Sequence, residues 1–316
     1  MQERWREIKC LDLSRYDEGF LVGTDLVMSP EGFLYMAQSA LSRIVKVTLD
    51  GELIPFVGGK EPRSQGHIDD KGDKARLNRP VAIDISPEGN LYVADMCNDV
   101  IRMVTPEGEV STLAGSGEDG MADGPVEEAR FMWPCDVAVD SRGHVYVADG
   151  NNHRLCKIIV GEGVTTVAGN GERGFKDGVG GGVRFSGIMN LAIDPSDNIY
   201  AADMWNHRIR KVTPMGAVCS IAGNGVQASK DGVGEAACLS MPNCLTIDSA
   251  GTLYLRYSNY AVRRITPKGE VSTIGWDEGF PYVNELVNVY IDSSDDRMYA
   301  LTDEPPKIYI LERVAA

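Results

Sequence analysis

No apolar run in the 316 residues approaches the roughly 18 that a membrane-crossing helix needs, so a helical membrane protein is excluded. The opening residues, MQERWREIKC, lack the apolar stretch of a signal peptide, which leads to the expectation of a soluble, cytoplasmic protein. Cysteine is sparse, and its number is odd. The seven thiols have no CxxC pairing, which excludes a common zinc signature, and in a reducing compartment they would stay unpaired. Positive charge is short: 31 Lys and Arg against 46 Asp and Glu give a net charge of −15. Such a chain repels phosphate backbones, and no Lys/Arg cluster stands out to offset that, so nucleic acid is not an expected partner. Sustained helical periodicity is also missing, which leaves strands to build the core.

What is present is repetition. SPEGFLYMAQ (29–38), SPEGNLYVAD (86–95), DSRGHVYVAD (140–149), DPSDNIYAAD (194–203) and DSAGTLYLRY (248–257) align, and DSSDDRMYALT (292–302) is a degenerate sixth copy. Their tyrosines, at 35, 92, 146, 200, 254 and 299, recur at intervals of 57, 54, 54, 54 and 45. A fixed period of this length marks a repeat architecture. Within a unit the hydrophobic period is two: VAIDI, a Pro/Gly turn, NLYVAD, a short loop, VIRMV, a second turn, then VSTLAG. Four short strands per unit predict one propeller blade. The sixth unit stops after strands near 287–292, 297–302 and 307–313, one strand short. WREIKCLDL (5–13) is the spare strand that would complete it, close the ring and remove its open edges.

Residues 81–115 and 191–223, with the DG…ARF…P connector at 123–134, resemble NHL repeats. The resemblance implies an all-β, six-bladed propeller with four-stranded blades, a single domain spanning 1–316. It does not imply one function, because similar propellers include scaffolds for protein and RNA, lyases, lactonases and strictosidine-synthase-like enzymes.

Two motifs look functional and have a plainer reading. GSGEDG (115–120) and GNGERG (169–174) fit GxGxxG, but no helix follows to receive a pyrophosphate, so they are expected to be turns. The ADxxNHR segments place His153 and His207 four residues after Asp149 and Asp203. Blade two has Asp95 and Asn98 in the matching places without the histidine, so these side chains are expected to satisfy loop backbone groups.

The more informative column lies ten residues before each repeat tyrosine: Asp25, Ala82, Asp136, Asn190 and Cys244, with Asn288 in blade six. NHL repeats usually have glycine here, and none of the six positions does. Six blades pointing one such side chain each toward the axis would gather two carboxylates, two carboxamides and a thiol. Carboxylates confined together are costly unless a cation joins them or one takes a proton. Oxygen donors suit a hard ion such as Ca²⁺. The arrangement is similar to the channel-mouth site of gluconolactonase and paraoxonase propellers. That resemblance implies Asp25, Asp136, Asn190 and Asn288 as calcium ligands, with Asp25 standing where those families have Glu. Two other readings stay open: the side chains cap backbone groups between blades, or Asp25 and Asp136 share a proton without metal.

Aromatic residues in the connectors offer walls for a small molecule: Trp133, Phe185, Trp205, Tyr257, Tyr260, Phe280 and Tyr282, beside Phe131. The leading expectation is an enzyme acting on an organic substrate at the channel mouth, as an ester or lactone hydrolase or a lyase. Asp136 and Asp25 would be catalytic, and Trp133, Trp205, Cys244, His207, Tyr257 and Phe185 would contact substrate. The alternative is a scaffold that binds a protein or ligand at its rim without catalysis.

Overall fold

The computed structural model describes residues 4–14, 16, 23–59, 64–257, 261–276, 286–292, 297–303 and 305–314. Six sheets of four or five strands, antiparallel but for one short parallel pairing at the edge of blade six, form a six-bladed β-propeller. Among the described residues the only helical pieces are three-residue 3-10 turns.

The second strand of blades one to four is buried along its whole length, as in Leu91–Asp95, Val145–Asp149 and Ile199–Asp203. One side of such a strand packs on the blade before and the other on the blade after, which is why its residues are apolar without alternation. Core clusters accordingly span neighbouring blades: Tyr92 and Ala94 of blade two pack with Phe131, Val137 and Val147 of blade three. First and second strands are joined by four-residue turns that need a left-handed last residue. Gly32, Gly89, Gly143 and Gly251 supply it, and in blade four Asp197 adopts the same conformation at φ 60°.

The innermost strands are Asp25–Met28, Pro80–Ile85, Pro134–Val139, Ile188–Ile193, Leu245–Ile247 and Leu286–Asp292. Each touches the next and the last touches the first, enclosing a channel on the axis. Arg4–Asp12 pairs antiparallel with Lys307–Val314, so the N-terminal strand does complete blade six. Its anchor is Trp5, fully buried and edge-on to Tyr254 of blade five at 5.8 Å. Burying an indole at this seam adds to the apolar area of Leu11 and Leu13, which pack among residues of blades one and six.

Candidate functional site

The ring at the start of the innermost strands is a chain of inter-blade hydrogen bonds. Asp25 accepts the backbone N–H of Ile83 in blade two at 2.8 Å. Asp136 accepts Leu191 N–H of blade four at 2.6 Å, and Asn190 accepts Leu245 N–H of blade five at 2.7 Å. The Cys244 thiol donates to Asn288 Oδ1 at 3.1 Å, and Asn288 Nδ2 returns to blade one, donating to Thr24 O and Asp25 Oδ1 at 2.9 Å each. Both carboxylates also cap the next residue of their own strand, Leu26 at 3.0 Å and Val137 at 2.8 Å. Each therefore satisfies two backbone donors that would otherwise be buried without partners, a loss of about 1–3 kcal/mol per donor.

Ala82 cannot make this link from blade two to blade three. Asp84, one pleat further along, makes it instead: it accepts Val139 N–H at 2.7 Å and caps Ile85 at 2.8 Å. Thr246 does the same for Ile291 in blade six at 3.0 Å. Asp84 is the site residue that the ring column alone misses. Its signal is a carboxylate in a column whose counterparts are Val27, Ala138, Ala192 and Thr246, directly beside the one ring position with no polar atom.

A cavity of about 370 Å³ fills the channel, lined by Asp25, Asp84, Asp136, Asn190, Thr246 and Asn288 among others. The exposed members of its wall, Ser141, Pro195 and Ser249, sit on the turns that follow the innermost strands. The ring is thus the inner end of the cavity, and the opening lies on the opposite face from the long connectors.

The three acids are held away from bulk water, and burial is the main reason their carboxyls hold protons more tightly than usual. Asp25 is raised to about 7 and Asp84 to about 6, while Asp136 is raised well above the ordinary carboxylate value, with the Asp25 charge adding to burial. Asp25 keeps some accessible surface, but it borders the cavity rather than open solvent, so desolvation still dominates. Burial likewise pushes the Cys244 thiol up to about 11, which leaves it a hydrogen-bond donor and a poor nucleophile near neutral pH.

The donors expected to hold Ca²⁺ are all engaged in hydrogen bonds within the ring. Every oxygen of Asp25 and Asp136 already accepts a backbone N–H, Asn288 turns its amide nitrogen toward Asp25, and Asn190 Oδ1 is taken by Leu245. Among the described residues no three His, Cys, Asp or Glu side chains converge where an ion could sit.

Among the described connector aromatics, Phe131, Trp133, Phe185 and Trp205 lie outside this cavity's wall. Phe185, expected to contact substrate, is fully buried between blades three and four, over the Arg210 guanidinium at 5.0 Å. Phe131 is fully buried between blades two and three. Both are inter-blade plugs, because the connector carries them into the apolar seam. Trp133 and Trp205 remain on the connector face, 53% and 49% exposed. Trp133 N–H is held by Asp99 at 2.8 Å, and Trp205 packs against Gly187. His207 Nδ1 accepts Met241 N–H at 3.1 Å, also on that face. Tyr257 ends the strand Leu253–Tyr257, and Tyr260, Phe280 and Tyr282 lie outside the described residues.

The recurring Asp of the ADxxNHR loops is structural. Asp95 accepts from Asn78 N–H, Asn98 Nδ2 and Arg102, and Asp203 accepts from Ser186 N–H, Asn206 Nδ2 and Arg210. In blade three Cys156 occupies the position of Arg102 and Arg210, and Arg154, two residues earlier, reaches Asp149 and Asp123 instead. Each guanidinium is fully or almost fully buried and ties a connector to its blade.

The class defined by this architecture is the six-bladed β-propeller with an axial polar cavity. The family model for the NHL repeat matches residues 131–158, so the segment running from the end of the connector between blades two and three through the first three strands of blade three carries an NHL repeat. NHL repeat-containing protein 2 of Bos taurus is 34% identical over 149 residues, covering 43% of this chain and 20% of that protein. The chain thus spans about a fifth of the length of that curated relative. Among solved structures, a streptogramin B lyase superposes with a TM-score of 0.61 at 12% identity, covering 99% of both chains. A gluconolactonase of Xanthomonas campestris gives a TM-score of 0.61 at 13% identity, covering 89% of this chain and 82% of its own. At these identities the likeness is one of fold.

Proposed function

We propose that the axial cavity is the active site of a small-molecule enzyme in which Asp25 and Asp136 act as an acid–base pair. The observation that carries the reading is the placement of two carboxyls, both raised by burial and Asp136 further by the Asp25 charge, at the inner end of a cavity large enough for a small organic molecule. Near neutral pH such a pair holds at least one proton, so one member can donate to a leaving oxygen while the other accepts from water or from a substrate carbon. Ester or lactone hydrolysis and a lyase elimination both use that proton traffic. The similar folds of a gluconolactonase and a streptogramin B lyase agree with this range of chemistry. The test is a panel of lactones, esters and cyclic depsipeptides assayed with wild type, Asp136→Asn and Asp25→Asn. Turnover falls by about 10²–10⁴ in the variants while both keep their fold and melt within several degrees of wild type; full activity in both variants overturns the reading.

A second reading, a protein-binding scaffold, is favoured by the exposed indoles of Trp133 and Trp205 on the connector face. A partner held there would be lost with Trp205→Ala and retained with Asp136→Asn.

A further inference from the structure

The connector face carries a second set of inter-blade links, independent of the channel. At each of four junctions, the residue that ends a 3-10 turn accepts the backbone N–H of a left-handed residue in the next connector. Ser42 Oγ takes Arg79 N–H at 3.1 Å, and Asp99 Oδ1 takes Trp133 N–H at 2.8 Å. His153 Nδ1 takes Gly187 N–H at 3.2 Å, and His207 Nδ1 takes Met241 N–H at 3.1 Å. The accepting residues all lie at φ 51–53°, and the receiving connector residues lie at φ 57°, 52°, 75° and 47°. The same backbone device is therefore built four times with three different acceptors.

The acceptors differ in one chemical respect. A hydroxyl accepts at any pH, whereas an imidazole nitrogen accepts only while it is unprotonated. We propose that His153 and His207 are acid-sensitive clips that release the junctions between blades three and four and between blades four and five when their rings take up a proton.

The surroundings set where release occurs. His153 is half-buried and faces the Gly150 backbone, Arg173 of the following connector and Asp203 of blade four; His207 faces Arg208 of its own strand. Burial is the largest influence on both and holds them below the usual histidine value, with Arg173 and Arg208 acting in the same direction and, at His153, the Gly150 backbone and then Asp203 against it. A base whose folded value is lowered stabilises the fold above the unfolded value of about 6.5, and that stabilisation is lost as pH falls through the lower folded value. Release at His153 has a local consequence, because Gly187 is the surface against which Trp205 packs. A side chain at Gly187 would come within 2.8 Å of that indole, so the contact relies on the backbone staying in place.

Amide hydrogen exchange on the whole chain, corrected for intrinsic rates and compared between about pH 7.5 and about pH 5, tests this. Protection of Gly187 and Met241 falls roughly three- to tenfold on acidification, the scale of one lost hydrogen bond each, while Arg79, held by Ser42, changes less than about twofold. In His153→Ser with His207→Ser, which copies the acceptor of the Ser42 junction, the acid-dependent loss disappears. An equal change at Arg79, or an acid response that survives in the serine variant, overturns the proposal. Should the serine variant fail to fold, the comparison of the three amides in wild type still decides.

Discussion

Asp136 of blade three and Leu191 of blade four are 55 positions apart in sequence and joined by a 2.6 Å hydrogen bond from the Leu191 N–H to the carboxylate. Removing the acceptor and removing only its charge should have different effects. Asp136→Ala leaves the Val137 and Leu191 donors buried without partners and costs roughly 2–4 kcal/mol. Asp136→Asn keeps an acceptor for Leu191, as Asn190 does for Leu245, but turns an amide nitrogen toward the Val137 N–H, and costs about half as much, roughly 1–2 kcal/mol. Urea denaturation of the two variants separates the outcomes; equal losses would mean that the bond to blade four contributes nothing.

The raised channel acids predict a definite pH signature. Asp25, at about 7, and Asp84, at about 6, bind protons in the folded state that an unfolded chain releases near its ordinary value of 3.8. Their contribution is fully present below about pH 4 and is lost as pH rises through about 6 to 7. Asp25→Asn with Asp84→Asn removes it. The stability of wild type relative to this variant should therefore be greatest near about pH 4, decline by a few kcal/mol toward about pH 7, and stay level above. Parallel curves across that window contradict the burial of these groups.

The displaced guanidinium of blade three offers a swap experiment. Arg154→Val leaves the buried Asp149 without its cation and costs roughly 3–5 kcal/mol. Adding Cys156→Arg rebuilds the blade-two arrangement of Val100 and Arg102 with Asp95 and should recover most of the loss. The double variant's melting temperature reads this directly; a further drop would show that the two positions are not interchangeable.

Calcium provides a simple control. Because the oxygens of Asp25, Asp136 and Asn190 are committed to backbone donors, melting with excess Ca²⁺ and with EDTA should agree to within about 1 °C. A rise of several degrees with Ca²⁺ would show that these oxygens take a cation through their remaining lone pairs.

The blade count and the strand that completes blade six were legible because turn chemistry and the period-two pattern repeat with the chain. The ring was legible as a column, but its bonding was not. A lone Asp at a strand start reads equally as ligand, base or cap, and only the position of the next blade's N–H reveals the cap. Asp84 was hidden because its role depends on a deficiency at Ala82, two residues away. Phe185 and Trp133 show the same limit at the rim: both lie in connectors, yet one turns into the apolar seam and the other stays at the surface.

The seam at blade six gives the ring an unusual clasp. Strand Arg4–Asp12 lies beside Lys307–Val314, so the pairing that shuts the circle joins segments some 300 residues apart. Every other blade is assembled from neighbours along the chain and can form early. This last one must wait for a long loop to close, which places circularisation among the slowest events in folding and makes Trp5 a latch that engages near the end.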